Sequence, residues 1–255
     1  GTWNGLMLEN PAPNHQIDRV YLAVYPSQDV LDKIIAKEVE RGATGALLFT
    51  YHPIPYSESQ GEFKAIPTEQ LEELQEHHIS VYVCHAPLDC HPEIGTTVVL
   101  ANALNIEDQG MFGAYYGGLA CVHGQLTNTT FSELAIRLAD ICELPRLRYD
   151  QCRHNGQIVK HVAIAPGSGS LDFMREAAEL GVDTFITGNW WLFGDSEFAK
   201  ASRERIAEFL PTLKMNLLGT SRYSIGFVTM RDYVPDVFRP YNLETVLIRD
   251  EEPLK

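Results

Sequence analysis

Residues 20–24, Val-Tyr-Leu-Ala-Val, form an unbroken apolar run of strand length. Beyond it the apolar period changes. Val30, Ile34, Ile35 and Val39 fall mostly three to four positions apart across residues 29–41, which predicts an amphipathic helix. Ser27 stands where an N-cap accepts a free first-turn amide, and Gly42 where a left-handed residue closes a helix. The alternation then repeats. Residues 46–50 read as a second buried strand, Thr68 as the cap of an acidic helix over 69–77, and residues 79–84 as a third strand. This β-α-β-α-β order predicts a parallel sheet covered by helices.

Residues 95–105 read as a further helix. Glycine and aromatic density rises over 110–124, around Tyr115-Tyr116-Gly117-Gly118, and predicts a turn-rich crossing into a second lobe. An amphipathic helix over 131–142 follows, then a strand over 160–165 that runs into Pro166-Gly167-Ser168-Gly169-Ser170. Ser170 is placed to cap a helix reaching residue 180. Residues 182–187 form the next strand, ended by Gly188, and Ser196 caps a helix over 197–209. Residues 214–219 and 226–231 read as closing strands. The expected architecture is α/β, with mixed, mostly parallel sheets flanked by helices. Residues 1–120 with 226–255 make one lobe and 121–225 the other, with a site in the cleft between them.

Charge and cysteine usage narrow the function classes. The chain of 255 residues carries 34 acidic and 20 basic side chains, a net charge of −14. Such a surface repels nucleic-acid phosphates. No apolar run approaches the length of a membrane span. Cys84, Cys90, Cys121, Cys142 and Cys152 are odd in number and include no C-x-x-C, which points to reduced thiols in the cytoplasm.

Candidate chemistry gathers after the strands, where ligands bind in open α/β sheets. Tyr51-His52-Pro53 follows the second strand and His85-Ala86-Pro87-Leu88-Asp89 the third. Imidazole and carboxylate are the usual ligands of zinc, iron and manganese, and a strand-end histidine serves equally as a structural hydrogen bonder. Pro87 between His85 and Asp89 argues for a loop. The turn at 166–170 either aims its amides at an anion or is only a tight β-α connection. Trp190-Trp191 reads as an aromatic wall, an oligomer contact or core packing. Arg222 grips a phosphate or carboxylate, or lies on the surface. His77-His78 caps an acidic helix. His123, His154 and His161 have no recognisable partner.

The order of these segments resembles the NIF-three-like family, dinuclear-metal proteins whose members are often described as GTP cyclohydrolase I type 2. Trp3-Asn4-Gly5-Leu6 is similar to a shortened form of the family's opening Asp-Asn-x-Gly-Leu turn. Leu48-Phe49-Thr50-Tyr51-His52-Pro53 stands where the family has a strand followed by His-His-Pro. Val83 to Asp89 is similar to its His-[Thr/Ser]-x-Leu-Asp segment, Ile164 to Ser170 to its glycine-rich turn, and Gly181 to Gly188 to its Asp-x-x-Ile-Thr-Gly signature. The resemblance implies a two-lobed fold, a hexameric ring, and metal held by both histidines of His-His-Pro, the Asp and a late His-x-x-x-Glu pair. His52 and Asp89 stand at ligand positions, with His85 and Tyr51 as neighbouring or alternative ligands.

Four positions depart from that pattern. Tyr51 replaces a histidine, and the late pair falls on Arg222 and Gly226. Asn189 also stands where many members carry an acid. The implied divalent metal (zinc, iron or manganese) is therefore either retained on a degraded site or absent. Two functions follow. One is a metal-dependent hydrolase of a phosphorylated or nucleotide-like small molecule. The other is a non-catalytic binding or assembly protein whose cleft holds an anion through Arg222, Gly167, Ser168 and Gly169. Arg222 is expected near Asp89, supplying the positive charge that the metal would have brought.

Overall fold

A computed structural model describes residues 4–42, 44–57, 62–151, 158–191 and 196–250. Trp3, Cys152 and His154 lie outside the described residues. The described elements begin with β1 (Gly5–Leu8), β2 (Arg19–Ala23), α1 (Gln28–Arg41), β3 (Ala46–Thr50), β4 (Tyr56–Ser57), β5 (Glu62–Phe63), α2 (Thr68–Glu76), β6 (Ile79–Val83) and α3 (Ala86–Asp89). Next come α4 (Thr96–Ala103), β7 (Glu107–Tyr115), β8 (Gly118–Thr129), α5 (Phe131–Ile141), β9 (Arg148–Asp150), β10 (Val159–Ala165) and α6 (Leu171–Glu179). The chain continues through β11 (Thr184–Thr187), α7 (Glu197–Phe209), β12 (Asn216–Gly219), α8 (Arg222–Asp232), α9 (Val234–Phe238) and β13 (Glu244–Leu247). Two compact units result. The first gathers described residues up to 57, those between 63 and 88, and those from 229 to 250; the second is chiefly those between 89 and 228.

The first unit is built on a sheet of order β1-β6-β3-β2-β13, parallel except for β1, which runs antiparallel to β6. Helix α1 forms where the apolar spacing places it. Ser27 Oγ accepts from Val30 N at 3.2 Å, and Gly42 closes the helix at φ 91°. Its face of Val30, Leu31, Ile34 and Ile35 joins Tyr21, Leu48, Ile79 and Val81 in the core. Burying side chains of this size stabilises by about 1.5–3 kcal/mol each. Glu38 is buried on the same helix and is satisfied there. Tyr21 donates to it at 2.6 Å and Arg41 at 2.9 Å. Arg41 then reaches Asp18 at 2.6 Å, so one charge network joins β2 to both ends of α1's terminal turn. The α2 cap differs from expectation. Pro67 holds the N-cap position, with no side-chain bond, and Thr68 is already helical.

The second unit carries a sheet of order β7-β8-β10-β11-β12-β9, with β10, β11 and β12 parallel and the other pairings antiparallel. Its core joins Phe112, Cys121, Ala163, Met174, Phe185 and Leu217. The stretch expected as a turn-rich crossing is a long antiparallel hairpin, β7–β8, with Tyr115 opposite Gly118. Tyr116 (φ 44°) and Gly117 (φ 89°) form its two-residue turn, and positive φ at both positions matches strand twist. The remaining glycines lie in the strands because neighbours press on them. A Cβ at Gly124 would fall 2.4 Å from the Glu107 carbonyl oxygen.

Residues 226–231, expected as a strand, belong to α8. Ile225, Phe227, Val228 and Met230 are all buried. A helix enclosed on every side loses its amphipathic period and is indistinguishable in sequence from a buried strand. The strand that closes the first unit is instead β13. Among the described residues no helix is long and apolar enough to cross a membrane.

Candidate functional site

In the first unit, the residues after β2, β3 and β6 form a nest of rings. Tyr51 N bonds to Ala23 O and His52 N to Val24 O, at 3.1 and 2.9 Å, and the Thr50 hydroxyl donates to the same Val24 carbonyl. These bonds fix the turn that presents His52. The His52 ring stacks on Tyr25, with centroids 4.5 Å apart and planes within 8°. Tyr51 meets it edge-on at 4.4 Å, and His85 lies 4.6 Å away. Asn4 Oδ1 accepts from His85 N at 2.7 Å. Tyr56 and Phe63, paired at 4.9 Å, complete the cluster. His52 is 3% exposed. The structure thus brings His52, His85 and Tyr51 together, embedded in aromatic carbon.

His85 and Asp89 were expected on a loop. The segment is instead the one-turn helix α3, and Pro87 sits in its first turn, where the missing N–H costs nothing. Asp89 is 1% exposed and accepts from the Thr96 hydroxyl at 2.6 Å. Cys90 Sγ reaches the Tyr115 carbonyl at 3.4 Å. Burial, then the Asp89 carboxylate, pushes the Cys90 thiol upward. Burial likewise holds the Tyr115 phenol protonated well beyond its ordinary range. Asp89 reinforces this, and Arg222 pulls the other way. Tyr115 therefore lies in the fields of both Asp89 and Arg222.

Arg222 is placed by the exits of three neighbouring parallel strands. Gly167 follows β10, Gly188 follows β11, and Ser221-Arg222 follows β12. A Cβ at Gly188 would fall 2.3 Å from Gly167 O, 2.9 Å from Ser221 O and 3.1 Å from Arg222 Cα. Only glycine lets these three segments meet. Ser221 opens α8, and its hydroxyl accepts from Ser224 N at 3.0 Å. Arg222 then lays its guanidinium beside the glycine turn. A Cβ on Gly167 (φ 61°) would be 3.6 Å from Nη2 and 3.9 Å from Nε. Gly169 packs on Thr187, and Ser168 opens on a separate groove between α6 and α7. Of the four anion candidates, the structure joins Arg222 and Gly167 directly.

The residues present do not make the two-ion site that the resemblance implies. Tyr51 has a phenol in place of an imidazole, Arg222 is a cation, and Gly226 has no side chain. Among the described residues, no three His, Cys, Asp or Glu side chains are arranged to hold a metal ion. One pairing escaped the sequence: His123 Nδ1 and His161 Nε2 lie 3.0 Å apart. Trp190 and Trp191 meet edge-on at 4.9 Å above Gly219, where a Cβ would be 2.2 Å from the Trp191 ring, and Arg148 lies over that ring at 4.5 Å. Trp190 packs against the core of the second unit.

Comparison with known proteins adds a consistent picture. Residues 2–200 match the model of the family described as Duf34/NIF3 (NGG1p interacting factor 3). A Yersinia pestis protein named GTP cyclohydrolase 1 type 2 homolog is 29% identical over 185 residues, 72% of this chain and 68% of that protein. A Pyrococcus abyssi protein of the same name is 28% identical over 246 residues, 96% of this chain and 88% of its own length. A solved structure of the protein ybgI, of unknown function, superposes with a TM-score of 0.70 at 21% identity, covering 98% of this chain and 90% of that one. At that identity the likeness speaks for the fold alone.

Proposed function

The chain belongs to the Duf34/NIF3 family, and from that premise we propose that it binds a small phosphorylated or nucleotide-like anion at Arg222 and the Gly167 turn, without metal-dependent turnover. One observation carries the reading: Gly188 lets Arg222 and Gly167 meet at the C-terminal ends of β10 and β12. Crevices at such strand ends are where open α/β sheets take ligands. A guanidinium offers a planar fork that matches phosphate oxygens, and the α8 N-terminus adds a favourable field. A metal would supply an activated water, and that chemistry needs donors that Tyr51, Arg222 and Gly226 do not provide. The hexameric ring implied by the family resemblance belongs to the same proposal, and sedimentation analysis reads it.

Calorimetric titration with GMP tests the reading. Saturable binding that Arg222→Ala weakens at least about tenfold, roughly 1.4 kcal/mol, is expected. Binding unchanged in that variant overturns it. A second reading, a metal-dependent hydrolase, draws on the 4.6 Å approach of the His52 and His85 rings. Elemental analysis of chelator-free, untagged protein separates the two, since near-stoichiometric zinc, iron or manganese favours the hydrolase.

A further inference from the structure

Apart from the Arg222 site, we propose that the groove between α6 and α7 in the second unit binds an organic phosphate monoester. The groove encloses about 510 Å³, within the range of small-molecule sites. Its lining mixes two chemistries. It includes the polar side chains Ser168, Ser170, Arg175 and Arg205. It also includes apolar Leu171, Ile206 and Phe209. A ligand with one anionic head and one apolar body meets both kinds of lining.

Arg175 already sits for this purpose. Its guanidinium lies 5.6 Å from the Phe209 ring centroid, which holds a long side chain over the groove and lowers the entropy lost on binding. Ser202, 7% exposed, lines the groove from α7. Helix α6 starts at the groove. Ser170 Oγ accepts from Phe173 N at 3.3 Å, and other amides of that first turn have no intrahelical acceptor. They add to the pull on an anion.

Acidic residues also border the groove. Asp172 and Glu208 line it, so its four charged side chains sum to zero. Asp172 stands 3.8 Å from Arg175, with 90% of its side chain exposed, so water screens the pair and an arriving phosphate competes for the arginine.

Phenyl phosphate and inorganic phosphate are the probes. Each is titrated into the full chain carrying Arg222→Ala, so that the Arg222 site does not contribute, and read by amide chemical shifts and calorimetry. Phenyl phosphate is expected to perturb Ser168, Ser170 and the first turn of α6, and to bind at least about tenfold more tightly than phosphate. Arg205→Glu, on an exposed helix face, is expected to remove about tenfold of that affinity, and Arg205→Gln less. Loss of all phenyl phosphate binding in the Arg222→Ala chain overturns the proposal. So does equal affinity for the two probes, or binding indifferent to both Arg205 variants.

Discussion

The Thr96 hydroxyl donates a 2.6 Å hydrogen bond to the Asp89 carboxylate, and both side chains are buried. Asp89 is a buried acceptor, and deleting a donor to it removes one of its hydrogen bonds. Thr96→Val keeps the shape and deletes the donor. Urea unfolding is expected to show a loss of about 1.5–3 kcal/mol. A loss below about 0.5 kcal/mol would mean that this bond contributes little beyond an ordinary surface substitution.

The three-way meeting at Gly188 makes a contrast with Gly181. A Cβ at Gly188 would press on the backbone oxygens of Gly167 and Ser221, neither of which can yield alone. Gly188→Ala is expected to cost about 3 kcal/mol or more and to weaken anion binding with it. Gly181 has φ 78° but open space around it, so Gly181→Ala pays only the left-handed penalty, about 1–2 kcal/mol. Equal costs in a denaturant titration would refute the assignment of Gly188 as the closure point.

The His123–His161 pair gives the second unit an acid-sensitive joint. Burial first, then the neighbouring imidazole, lowers the proton affinity of His123. The unfolded chain therefore takes up this proton near pH 6.5, before the folded chain does. Stability is complete above that value and declines as pH falls below it. His123→Gln is expected to flatten the slope of unfolding free energy between about pH 7 and 5. A slope identical to that of the unsubstituted chain would assign the loss to other groups.

Tyr21 predicts the opposite limb. Its phenol donates to buried Glu38, and burial first, with Glu38 opposed by Arg19, pushes it up to about 12. The unfolded phenol ionises near 10, so stability is full below that pH and is lost as pH rises towards 12. Tyr21→Phe is expected to remove this alkaline limb and to cost about 1–3 kcal/mol at neutral pH, because Glu38 loses a donor. Circular dichroism melts across alkaline pH read both effects.

The parallel strands and their helices were legible because their signals are local. Ser27, Gly42, Thr130, Ser170 and Ser196 act within a few residues of themselves, and all but Thr130 were read as caps or stops from sequence. Elements defined by distant partners were not legible. Helix α8 hid because every face is covered, and the β7–β8 hairpin because its glycines answer to neighbours across the sheet. The His123–His161 pair depends on an antiparallel register that sets Ala163 against His123, and nothing near either histidine encodes that register. Strand-end position and side-chain chemistry picked out His52, His85 and Asp89, and fixed charge picked out Arg222, independently of the family resemblance. The approach of Arg222 to Gly167 required Gly188, whose role is purely spatial.

β2 finds its outer partner far along the chain, with Arg19 bonded to Glu244 across 225 positions. During synthesis β2 and β3 emerge early, while β13 is still to be translated. The whole stretch from 89 to 228 appears in between, and it contains every strand of the second unit's sheet. That unit can finish first, while β2 waits with an open edge. Unpaired edges in nascent chains invite wrong partners. The hazard for this protein thus falls within a window of translation, and it closes only when residues 244–247 leave the ribosome.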